Sequence, residues 1–169
     1  MGEGGGGPSF TDVWNAAKDV ASIMVNGQTQ HMPNRAFAVP SGQQPGALDW
    51  ANEAEQTLQY GLTWGSTATD WGLSTGTSLR LGVTWKYGGH YQGQGLFLHD
   101  AQIWAVLDHS GLGQNFDVSA SFGDAYLRGQ TGVVSGSIRV EQKYIRLHWS
   151  DTEFSVEISG DGAGHIRRR

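Results

Sequence analysis

The chain has no cysteine, which excludes disulfides and thiolate metal sites and leaves the redox compartment open. Charge is scarce at 16%, and proline numbers only four, three of them between residues 28 and 46. A helical bundle would need more Ala, Leu, Glu and Lys. The 26 glycines and seven tryptophans of this 169-residue chain instead suit a β protein with glycine turns and an aromatic core. No apolar run approaches the length of a membrane-spanning helix. The opening MGEGGGGPSF lacks the basic and apolar regions of a signal peptide. The expectation is a soluble protein, with secretion by a non-classical route and a cytoplasmic location both open.

A basic field is also missing. The net charge is −5, and the negative excess falls in residues 1–79, where Lys18 and Arg35 stand against seven acidic residues. Residues 80–169 carry nine charges of each sign. Neither half attracts a polyanion, so nucleic acid is not an expected partner. Residues 1–9 read as a flexible glycine-rich lead. Residues 163–169, with Arg167, Arg168 and Arg169, read as a solvated basic tail. Between them, residues 10–162 are expected to form one domain with a real core.

Apolar spacing then predicts the elements. Phe10, Val13, Trp14, Ala17, Val20, Ala21 and Met24 recur at steps of three and four, and Asn26-Gly27 is a common helix exit. This predicts one amphipathic helix over 10–25. Residues 47–58 also admit a short helix, before Leu58, Tyr60, Leu62 and Trp64 alternate as a strand. Leu79, Leu81, Val83, Trp85 and Tyr87 share one strand face, with Arg80, Thr84 and Lys86 on the other. Residues 95–110 read as one long strand, or as two with a bend near Asp100. Phe116 to Phe122, Ile138 with Val140, Ile145 to Trp149, and Phe154 to Ile158 alternate in turn. The expected joints are SGLGQ, FGDAYLRGQTG, EQK and SDT. Strands with such short joints cannot be parallel. The expected fold is mainly β, an antiparallel β-sandwich or flattened barrel with one N-terminal amphipathic helix.

Within SLRLGVTWKYGGHYQGQG, residues 78–95, glycines crowd around Tyr87, His90 and Tyr91. The run leads into a strand and no P-loop lysine follows, which argues against a nucleotide. Trp71 lies among Gly, Ser and Thr in STATDWGLSTG, outside any strand phase. Such aromatics suit stacking on a sugar or seating at a lipid interface. Trp71, Tyr87, His90 and Tyr91 are therefore the candidate ligand-binding residues. The expected partner is a glycan or a membrane lipid headgroup, with homo-oligomerisation as a further expectation. Trp64, Trp85 and Trp149 fall in phase with apolar faces and are expected in the core.

Chemistry has weaker support. His99-Asp100 and Asp108-His109 offer ligand types without an HxH or HExxH spacing. Glu141, Glu153 and Glu157 are available carboxylates, but Glu153 and Glu157 fall at strand-phase surface positions with nothing nearby to raise a pKa. Ser110 and Ser150 lack a GxSxG elbow. No enzymatic activity, cofactor or metal is expected. A helix over 10–25 beside an aromatic β-sandwich, with Trp71, Tyr87 and Tyr91 at strand ends and loops, resembles the layout of actinoporin-type cytolysins. That resemblance is of layout only. It implies an alternative in which the helix leaves the sandwich and lines a membrane pore, with a structural subunit of a homo-oligomer as another.

Overall fold

The computed structural model describes residues 13–14, 19–64, 76–109, 114–144 and 147–169. Of these, 75% lie in strands, the sheet is not closed, and no α-helix is present among them. Eleven strands follow in chain order: β1 Val13–Trp14, β2 Ala21–Val25, β3 Gln30–His31, β4 Ala36–Pro40, β5 Ala54–Trp64, β6 Thr77–Tyr91, β7 Gln94–His109, β8 Gln114–Arg128, β9 Thr131–Tyr144, β10 Leu147–Ser159 and β11 Gly164–Arg168. A single 3-10 turn, Pro45–Ala47, precedes β5.

Alternation decides which way each strand faces. On β6, Leu79, Leu81, Val83 and Trp85 are buried, while Arg80, Thr84 and Lys86 alternate outward. The neighbouring strands repeat this period, as side chains on a pleated ribbon must. β5, β6 and β7 form one antiparallel run, with β3 and β4 on the far side of β7 and β1 on β4. β2, β8, β9, β10 and β11 form a second antiparallel run in that order. A single parallel bridge, Leu96 to Thr131, links β7 to β9 and joins the two runs.

One apolar cluster draws on both runs. Leu81, Val83, Trp85, Leu98 and Ile103 meet Phe116, Val118, Ile138, Phe154 and Val156. The buried Trp85 indole donates to the Ser159 carbonyl at 2.9 Å, tying the first run to the second. On the side of β5 and β11, no ladder pairs the two strands. Side chains fill the gap there, and a Cβ added at Gly164 would meet both Trp85 and Leu58. A second, smaller cluster gathers Val13, Val39, Leu48 and Phe97.

Four expectations need correction. Of the predicted helix over 10–25, residues 10–12 and 15–18 lie outside the described residues, and the rest contains strands. Ala21–Val25 pairs antiparallel with Phe116–Ala120, burying Ala21 and Val25 and leaving Met24 outside. The helical spacing of Val20, Ala21 and Met24 loses to a ladder that satisfies the backbone and suits β-branched Ile23 and Val25. Residues 54–58 belong to β5, so no second helix forms there. EQK and SDT are not joints, because β9 and β10 run through them, and FGDAYLRGQTG shrinks to Gly129-Gln130 between β8 and β9. Residues 164–168 form β11, so Arg167 and Arg168 belong to an edge strand whose backbone is paired to β10.

The alternatives for 95–110 also resolve. β7 is one strand, but its register against β6 shifts at Asp100, which holds φ at 51°. The glycine-rich run that follows Trp85 closes the β6–β7 hairpin, with Gln92 and Gly93 both at positive φ. That is the geometry of the two-residue turns whose twist matches the flanking strands.

Candidate functional site

The outward side chains of β6 and β7 build a polar surface around one aromatic. In register across the sheet, His31 stands opposite Trp104, Trp104 opposite Gly82, and Gly82 opposite Gln59. Gly82 has no side chain, so the Trp104 ring lies down on it, where any added Cβ would overlap the indole. The indole N–H donates to Thr84 Oγ1 at 3.1 Å, and Thr84 shares a 2.9 Å hydrogen bond with Thr57. These contacts hold the ring over Gly82 against the sheet.

Arg80 borders the ring, with its guanidinium carbon 5.9 Å from the ring centroid. Its fork is held by Asp108 through two hydrogen bonds of 3.2 and 3.1 Å, and Nη1 donates to Gln59 at 3.1 Å. The hydrogen bonds from Arg80 hold the Asp108 carboxyl below the usual carboxylate range, and Asp108 in turn raises Arg80. The pair is thus electrically self-compensated. On the other side of the ring, Gln102 donates through Nε2 to the Met32 carbonyl at 3.0 Å, and its amide oxygen makes no hydrogen bond to another described residue. Trp104, Thr84, Arg80 and Gln102, with His31, Thr29 and Val106, line an open cavity of about 280 Å³. Drug-sized sites occupy roughly 300–1,000 Å³, so this one has room for a single small ring.

The sequence-predicted residues sit elsewhere. Tyr87 is half-buried against the main cluster, its ring close to Gly162. Tyr91 is half-buried against the second cluster, near Phe97 and Leu48. His90 is half-buried, with Nδ1 2.7 Å from the Gly95 carbonyl and its backbone exchanging two hydrogen bonds with Asp49. The two tyrosines pack on different clusters, so these three residues are not gathered into one exposed rim. Trp71 lies outside the described residues. Trp85 is fully buried, as its phase implied. Nothing is described of the Trp64 and Trp149 side chains.

The two His-Asp pairs also part company. His99 Nε2 lies 2.8 Å from the Glu53 carboxylate and its ring stacks on Trp50 with centroids 3.9 Å apart, whereas Asp108 engages Arg80. Among the described residues, no group of three potential metal ligands converges.

Trp104 was the residue missed. It sits inside an apolar-looking run, but Ile103 and Ala105 on either side are the buried ones. With Gln102 and Asp108 it occupies the polar parity of β7, and that parity was the available signal. No protein family, curated protein or solved structure matches the chain.

Proposed function

We propose that the chain is a non-enzymatic carbohydrate-recognition module, an antiparallel β-sandwich that seats a neutral pyranose on Trp104. The observation that carries the reading is the indole held over Gly82 on an outer sheet face. A ring held this way offers its π-face to the C–H face of a sugar, the amphipathic contact that aromatic side chains make well. Gln102, His31 and the Arg80–Asp108 fork stand around it as donors and acceptors for hydroxyl groups. Because Arg80 is compensated by Asp108, the site favours a neutral sugar over the phosphate of a lipid headgroup. Asp108 is held ionised and, among the described residues, is the only carboxylate bonded to the rim, so these residues offer no protonated acid of the kind glycoside hydrolysis needs. The pore-forming alternative depended on a helix that the described part of 10–25 does not contain.

Glycan-array screening of the wild type, followed by calorimetry on the best hit, tests this directly. Trp104→Ala should weaken binding by about tenfold or more, the equivalent of one good aromatic contact. If wild type retains no neutral glycan, or if Trp104→Ala binds as tightly as wild type, the proposal fails.

A further inference from the structure

The outer face of the second run carries a separate cavity of about 380 Å³. Its floor is a cross-strand row in which Ser121 stands opposite Ser137 and Ser137 opposite Ser155, with Arg167 opposite Ser155 at the end. Ser121 and Ser137 share a 3.3 Å hydrogen bond. In the next row His165 stands opposite Glu157, and Glu157 opposite Ser135. At that point β8 bulges between Phe122 and Ala125. Arg169 closes the other side, beside Glu153. The cavity exists because short side chains separate rows of long charged ones.

Its chemistry is lopsided toward donors. Both Glu157 oxygens are already engaged, Oε1 by Arg128 at 2.7 Å and Oε2 by the Tyr126 hydroxyl at 2.6 Å. Among the described residues, the Arg169 side chain has only a 3.8 Å ion pair with Glu153. The side chains of Arg167 and His165 form no hydrogen bond or ion pair with another described residue. What remains for a ligand is serine hydroxyls, an imidazole and the Arg169 guanidinium, with Arg167 beyond the lining at the end of the serine row. Such a set suits a group with many acceptor oxygens and a negative charge, since charge-assisted bonds from Arg are the strong ones. The volume exceeds that of a bare oxyanion and leaves room for an attached organic group.

We infer that this serine-floored trough binds a phosphate or sulfate monoester, independently of the sugar platform on the opposite sheet. The full chain, labelled with 15N, is titrated with inorganic phosphate, inorganic sulfate, glucose 6-phosphate, glucose 6-sulfate and sodium chloride. Saturable amide shifts confined to β8–β11, with an apparent Kd on the order of 1 mM for the better inorganic ion and tighter for its ester, are expected. Comparing the phosphate and sulfate arms identifies the ester. Ser137→Val, a strand-compatible change, should weaken binding by about tenfold, and Arg167→Ala with Arg169→Ala by at least as much. Circular dichroism checks that each variant is folded. The arginine pair, being exposed at the chain end, keeps the test decisive if Ser137→Val does not fold. Equal, non-saturating shifts with chloride, no response to any oxyanion, or full binding by folded variants would overturn the inference. Glucose arrays and Trp104→Ala do not bear on it, so the two sites fail or stand separately.

Discussion

Glu157 shows how a single side chain is tuned by its neighbours. Hydrogen bonds from Tyr126 and Arg128 hold its carboxyl below the ordinary value of 4.5, while the same contact to Glu157 raises the Tyr126 hydroxyl. A carboxyl depressed by folding contributes stability above its unfolded pKa and loses it as pH falls through the lower folded value. The stability gap between wild type and Glu157→Gln should therefore be widest near neutrality and close progressively below about pH 4.5. Thermal unfolding midpoints measured from pH 7 to pH 3 check this. The gap should be modest, because the pair is partly exposed and screened. A gap that widens in acid would contradict the assignment. Arg80 and Asp108 follow the same logic beside Trp104, where each compensates the other's charge.

At the scale of elements, β11 converts an apparent tail into structure. Its backbone pairs with β10 from Phe154 to Ile158, and Ile166 packs against the main cluster. Alternation in GHIRR is too short to stand out in the sequence, and three terminal arginines suggest solvent. The arginines are indeed exposed as side chains, but a strand needs only one face to be apolar. Deleting residues 163–169 should destabilise the protein by at least about 2 kcal/mol, the value of burying one Ile side chain. Urea unfolding of the truncated chain measures it, and an unchanged midpoint would restore the reading of a free tail. β2 teaches the converse. Its residues carry a helical spacing, and the partner strand β8, nearly a hundred positions later, decides the conformation.

The whole molecule depends on how its two runs of strands meet. Gly160 donates to the Gly132 carbonyl at 2.8 Å and accepts from the Gly88 amide at 3.0 Å, beside the Leu96–Thr131 bridge. A Cβ at Gly160 would overlap the Leu96 backbone, which cannot rotate away as a side chain could. Gly160→Ala is expected to cost about 3 kcal/mol, at the upper end of overpacking penalties. Calorimetric unfolding tests it, and a wild-type midpoint would mean that the seam is loose.

Period-two hydrophobicity made the mainly β class, the buried face of β6 and the core position of Trp85 readable from the chain alone. That works because burial of alternate side chains acts residue by residue along each strand. The surface at Trp104 was half legible: parity put the ring outward, but its seat is Gly82, which is adjacent only through strand pairing. The separate packing of Tyr87 and Tyr91, the strand at 21–25 and the serine row ending at Arg167 were decided by tertiary structure. Each depends on contacts between residues distant in sequence, and local periodicity carries no information about which strand will lie alongside.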